Sequence, residues 1–155
     1  MSDADRFMTE AIALARDNVR RGGRPFGAVL VMDGEVVAQG VNGLVETHDP
    51  TSHAELLAVR TAAIKRQSPI LKGATMYASG HPCPMCLAAM RLAGITDIYY
   101  AYSNEDGAPY GLTSAPLYAD LKKPFDEQDM SFSYRPVRPE GEEDIYELWR
   151  KMQEG

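Results

Sequence analysis

Four residues in two short segments have the types and spacing needed for a metal-assisted hydrolysis. The first segment is Asp49-Pro50-Thr51-Ser52-His53-Ala54-Glu55 and the second is His81-Pro82-Cys83-Pro84-Met85-Cys86. Zinc favours imidazole nitrogen and thiolate sulfur, and a catalytic zinc takes three protein ligands and keeps its fourth position for water. His53, Cys83 and Cys86 supply three such donors. The two cysteines are three residues apart, so one helical turn brings both sulfurs to one side. Both segments precede apolar helical patterns, and unpaired N–H groups at a helix start favour thiolate. Zinc lowers the pKa of its water to about 7. Glu55 is then the natural proton carrier, a task suited to a carboxyl in a dry pocket.

Taken singly, each residue has a plainer reading. A lone C-x-x-C is also a redox pair, Glu55 a solvated helix residue and His53 a helix cap. A purely structural zinc would need a fourth ligand, for which His48 and His81 are the remaining histidines. It is the order of the residues, the flanking Pro82 and the two helix starts together that favour a catalytic zinc.

The surrounding pattern supplies elements to hold these segments. Asp5 to Arg20 reads as a helix with Phe7, Ala11, Ile12, Leu14, Ala15 and Val19 on a broad apolar face, ended by Gly22 and Gly23. Phe26–Met32 and Glu35–Val41 read as strands joined by an Asp33-Gly34 hairpin turn. Gly43–Asp49 reads as a loop, and Ser52–Arg66 as a helix capped by Thr51 or Ser52. A strand is expected over Thr75–Ser79, a helix over Pro84–Ala93 closed by Gly94, and a strand over Asp97–Tyr102. Ser103–Pro116 reads as loop and Leu117–Leu121 as a helical turn. Met130–Val137 reads as a weak fifth strand and Glu142–Met152 as a terminal helix. A hairpin followed by alternating strands and helices predicts a mixed sheet layered with helices.

The 155 residues, 45% hydrophobic and 25% charged, fit one soluble domain with a single core. The acidic N-terminus lacks the basic start and apolar run of a secretory signal, and no stretch is apolar enough to span a membrane; a cytoplasmic location is expected. A net charge of −6 argues against a phosphate backbone as partner. Two closely spaced cysteines in such a chain suggest metal or redox chemistry.

With Pro25-Phe26-Gly27-Ala28-Val29 and Asn42 added, the H-x-E and P-C-x-x-C runs make the chain similar to the cytidine and deoxycytidylate deaminase-like zinc superfamily. The likeness runs from about Phe7 to Tyr102 and is strongest to its guanine deaminase branch, with tRNA adenosine deaminase second. The resemblance implies an α/β fold, a three-layer αβα sandwich around a mixed five-stranded sheet. It implies one zinc per chain on His53, Cys83 and Cys86, with Glu55 as proton shuttle. It also implies that Asn42 hydrogen-bonds the base, that Phe26 and Ala54 wall the pocket, that the Ala54 N–H holds substrate, and that the protein is a homodimer.

The late strand and Trp-containing helix of Pro124–Met152 resemble guanine deaminase, in which this segment can cross to the partner and close its site. Residues 1–155 are therefore expected to form one deaminase domain whose segment 124–155 caps the active site or swaps between subunits. Trp149, Tyr110 and Tyr118 are candidates to stack on a flat ring, or else to pack that segment. The expected activity is zinc-dependent hydrolytic deamination of a free nucleobase, guanine to xanthine plus ammonia. Alternatives are wobble adenosine-to-inosine deamination of tRNA, deamination of cytosine or an aminotriazine, and a non-catalytic zinc-stabilised module. Two features depart from the guanine deaminase pattern: His81 precedes Pro82, and Thr113 or Ser114 falls where that branch uses a second carboxylate. Glu105, Asp106 and Asp120 are near in sequence but do not align with it.

Overall fold

The computed structural model describes residues 1–155, which form two compact units, Met1–Lys122 and Lys123–Gly155. The first unit opens with α1 (Asp3–Arg20), started by Ser2, whose hydroxyl accepts from the Asp5 N–H at 3.1 Å. Strands β1 (Gly27–Met32) and β2 (Glu35–Val41) pair antiparallel. Their turn takes positive φ at both Asp33 and Gly34, which matches the right-handed twist of a hairpin. β3 (Thr75–Gly80) pairs antiparallel with β1, and β4 (Asp97–Tyr102) pairs parallel with β3. The sheet is mixed, with order β2-β1-β3-β4.

Period-two alternation divides the core between the two sheet faces. Ala28, Leu30, Met76 and Ala78 pack with Ala54, Ala58 and Ala62 of α3 (Ala54–Arg66) and with Cys86 and Met90 of α4 (Pro84–Leu92). Val29, Val31 and Tyr77 point the other way, onto Phe7 and Ala11 of α1. Because β1 is covered on both faces, it reads as a continuous apolar run. Helix α3 lies close over β2 at Gly40. A Cβ there would come within 2.1 Å of the Ala54 carbonyl, so only glycine lets the start of α3 lie this near the sheet.

Several boundaries differ from expectation. The N-cap of α3 is His53, not Thr51 or Ser52. Ser52 is instead buried, and its carbonyl accepts from Gly43 N–H at 2.9 Å. The 43–49 loop contains one helical turn, α2 (Leu44–Thr47), and the 103–116 loop contains α5 (Asn104–Gly107) and a 3-10 turn. Helix α6 spans Ala115–Leu121.

The sheet has four strands rather than five. The expected fifth, Met130–Val137, has no strand pairing. Met130, Phe132 and Tyr134 alternate, yet they and Val137 are all exposed, and Pro136 removes one backbone donor. In this second unit Phe125 meets Phe132 edge to face at 4.8 Å. The unit ends in α7 (Ile145–Glu154), whose start is capped by the Asp144 carboxylate accepting from Tyr146 N–H at 2.9 Å. Ile145, Leu148, Trp149 and Met152 are exposed along it.

Candidate metal centre and its cavity

The two helices that begin at the sheet edge bring the metal-type donors together. His53 precedes α3 and Cys83 precedes α4, both in extended backbone, while Cys86 lies in the first turn of α4. Pro84 occupies the first helical position, where its missing N–H costs nothing. The Cys86 N–H is left to donate to the Cys83 sulfur. Nδ1 of His53 lies 3.4 Å from Cys83 Sγ and 3.6 Å from Cys86 Sγ. Zinc–nitrogen and zinc–sulfur bonds at the tetrahedral angle give a nitrogen–sulfur edge of about 3.6 Å. The donors are therefore spaced as three corners of one tetrahedron, and all three atoms lie within 4.8 Å of one another. No fourth His, Cys, Asp or Glu joins them. His48 ends α2, exposed, and His81 directs Nδ1 toward the Pro82 carbonyl and the Asn104 amide at 3.0 and 3.3 Å. The group is thus positioned to bind one metal ion with catalytic rather than structural stoichiometry.

The protonation pattern without metal follows from crowding these groups together. Cys86 donates to Cys83, which draws the Cys83 pKa down to about 4. The same shared proton, and burial behind it, push the Cys86 thiol up. The Cys83 sulfur also holds the His53 pKa above its ordinary value. Glu55 follows in the first turn of α3, only 5% exposed, and burial raises its pKa to about 7 against a hydrogen bond with Cys86 that lowers it.

A cavity of about 120 Å³ opens over these donors. His53, Ala54, Glu55 and Cys83 form its metal side, while Asn42, Phe26 and Arg24 come from the ends of β2 and the β1 approach. The opposite wall is Asn104 with Leu112, Thr113 and Ser114. Of the residues expected from sequence, His53, Ala54, Glu55, Cys83, Phe26 and Asn42 share this cavity, and Cys86 lies buried behind it. Asn42 makes a turn, its Oδ1 accepting from Leu44 N–H at 3.0 Å, and it lines the cavity. Trp149 belongs to the second unit, on α7, with its side chain 64% exposed. Tyr118 is a prop rather than a stacking platform: its hydroxyl donates to the Pro82 carbonyl at 2.6 Å, and its ring meets His81 edge on at 5.5 Å. Asp106 is spent on the α5 capping box with Ser103.

Sequence reasoning missed Arg24, Asn104 and Leu112. Asn104 carried only an indirect signal, the Ser-x-x-Asp capping box that starts at Ser103. His81, left open by sequence, borders the cavity.

A mixed sheet that presents one imidazole and two thiols from adjacent helix starts, with a buried carboxyl beside them, defines the class of zinc-dependent hydrolytic deaminases. Residues 1–102 match the cytidine and deoxycytidylate deaminase zinc-binding region, and the chain belongs to that family. It is 38% identical over 127 residues to the guanine deaminase of Bacillus subtilis, covering 81% of each chain. The X-ray structure of guanine deaminase from Bacillus subtilis superposes with a TM-score of 0.84 at 34% identity, covering 95% of this chain and 93% of that one. The tRNA-specific adenosine deaminase of Agrobacterium fabrum is 38% identical over 107 residues, 69% of this chain and 70% of its own.

Proposed function

We propose that this protein hydrolyses the exocyclic amine of a free nucleobase, converting guanine and water to xanthine and ammonia. The observation that carries the reading is the cavity that joins the tetrahedrally spaced donors to buried Glu55. His53, Cys83 and Cys86 hold zinc, which supplies the acidity that makes water a nucleophile near neutral pH. Glu55 accepts a proton from the attacking water and delivers it to the ring nitrogen beside the reacting carbon. A carboxyl with a pKa near 7 exchanges protons readily in both directions. The carboxylate then takes the second proton, from the hydroxyl now on the ring carbon, and hands it to the exocyclic amine as the bond between that amine and the ring carbon breaks, leaving a carbonyl and ammonia. The Ala54 N–H, at the first position of α3, and the Asn42 amide orient the ring against the Phe26 face.

Guanine is favoured because the guanine deaminase likeness joins 38% identity over 81% of the chain to a structural match over 95% of it, whereas the tRNA enzyme likeness reaches 94% of the chain only at 30% identity and its structural match covers 66%. The net charge of −6 also suits a small substrate better than RNA. The tRNA reading is supported by the same His-Ala-Glu and Cys-x-x-Cys runs. We further propose a cytoplasmic homodimer in which segment 124–155 closes an active site, with Trp149 against substrate. Support for this comes from the apolar residues exposed along α7. No helix is long and apolar enough to cross a membrane.

The test is ammonia release by zinc-loaded protein from guanine, adenine, cytosine, an aminotriazine and a tRNA carrying wobble adenosine. Guanine is expected to lead. Release only from tRNA favours the second reading, and release from none of these substrates removes the enzyme reading. Sedimentation at several concentrations tests the dimer.

A further inference from the structure

The proposed reaction fixes where the leaving amine meets Glu55, but it does not say which rings the rest of the cavity accepts. Hydrogen bonds already made within the wall answer part of that question. Glu55 is the only carboxylate lining the cavity. Oδ1 of Asn42 is engaged by Leu44 N–H, so its NH2 is the end left for a ligand. Thr113 Oγ1 accepts from Ala115 N–H at 3.1 Å, which leaves its hydroxyl hydrogen to donate. Arg24 carries donors only.

Asn104 is the most firmly oriented of these groups. Its Oδ1 accepts from both the N–H and the hydroxyl of Ser114, at 3.1 and 3.3 Å. A backbone N–H can only donate, so the oxygen must face Ser114 and the NH2 must face the other way. His81 Nδ1, 3.3 Å away, takes one of its hydrogens if it is the unprotonated nitrogen and none if it donates to the Pro82 carbonyl at 3.0 Å, so at least one hydrogen remains in either tautomer. The loop that carries Asn104 is itself closed tightly: Leu112 N–H donates to the Gly107 carbonyl at 3.0 Å, and a Cβ on Gly107 would come within 2.2 Å of the Leu112 carbonyl.

We infer that Asn104, turned by Ser114, is a specificity-determining residue that donates to an acceptor on the ring carbon one nitrogen away from the carbon that bears the reacting amine. The site thereby selects amino-heterocycles that carry a carbonyl oxygen at that position over rings that carry an amino group there. Two donors brought face to face in a partly buried wall both lose their water without gaining a partner. The inference rests on the free-base reading and names the substrate class of that same site.

The experiment compares kcat/KM for guanine and for 2,6-diaminopurine, which replaces one ring carbonyl by an amino group, with products identified by mass. Wild-type protein should favour guanine by about tenfold or more, the scale of one mismatched hydrogen bond. Asn104→Asp keeps an oxygen for Ser114 and exchanges the donating NH2 for an acceptor. With zinc content unchanged, it should reduce the guanine preference by about tenfold. A residue that only braced the loop would lower both rates together and leave their ratio alone; that result overturns the inference. So does a wild-type ratio near one, which needs no variant to fold. Ammonia from neither base strikes the proposed function itself, whereas equal release from both strikes Asn104 alone.

Discussion

The side-chain amide of Asn18 donates to the carbonyls of both Arg24 and Asn42, at 2.8 and 2.9 Å, and so ties two cavity-wall segments to the inner face of α1. Asn18 is 7% exposed, which leaves little water to replace it. Asn18→Ala should strand two carbonyls and destabilise the fold by about 2 kcal/mol, measured by urea unfolding. The same change should raise KM more than it lowers kcat, because Arg24 and Asn42 lose their anchor while the metal donors keep theirs. An unchanged KM would show that Asn18 acts on stability alone.

Gly40→Ala tests whether the sheet itself sets the metal geometry. The added methyl would meet the Ala54 carbonyl and push the α3 start, with His53 before it, away from Cys83 and Cys86. A stability loss of about 1–3 kcal/mol is expected from the overpacking. Weaker zinc binding in a competition assay with a chromogenic chelator should accompany it. Normal zinc affinity would mean that the helix start moves independently of His53.

Glu55→Gln should retain zinc and fold but lose turnover by about a hundredfold or more, the scale of a positioned acid-base group. Metal-free protein offers a second reading of the same carboxyl. Its folded pKa of about 7 lies above the ordinary 4.5, so the folded state holds the proton more tightly. That contribution is full below the unfolded value and is lost as pH rises through the folded one. Metal-free wild type should therefore lose about 3 kcal/mol between pH 4.5 and the region above pH 7, relative to Glu55→Gln. Parallel stability curves for the two proteins would contradict the burial of a protonated Glu55.

The two thiols should differ sharply in reactivity. Cys83 is half-buried with a pKa of about 4, while Cys86 is fully buried with its pKa pushed up. At pH 6, iodoacetamide should alkylate Cys83 and spare Cys86 in metal-free protein. Zinc should protect both. Peptide mapping distinguishes the sites, and equal labelling would contradict the paired-thiol arrangement.

Much of the metal centre was readable from sequence because its donors are local. His53 and Glu55 are two residues apart, Cys83 and Cys86 three, and each pair needs only a helix start to orient it. β1 and its Asp33-Gly34 turn were readable for a similar reason: turn chemistry and a doubly covered strand both leave local signatures. The opposite wall was not readable. Asn104 meets Ser114 across ten residues of loop, and Asn18 reaches Asn42 from another layer, so neither pairing has a period or spacing that announces it. The false fifth strand shows the converse. Met130, Phe132 and Tyr134 alternate as a strand should, but alternation records only a preference for two faces, and no neighbouring strand is there to use it.

The short span from Ser103 to Ser114 fastens itself, through the Ser103–Asp106 box, the Gly107–Leu112 bond and the Asn104–Ser114 clasp. None of these ties involves His53, Cys83, Cys86 or Glu55. Gly111 keeps its left-handed φ of 72° and Thr113 its bond to Ala115, but Leu112 is tied only through its backbone, so its side chain can be exchanged to alter which molecules the protein accepts while the apparatus for breaking the bond is inherited intact.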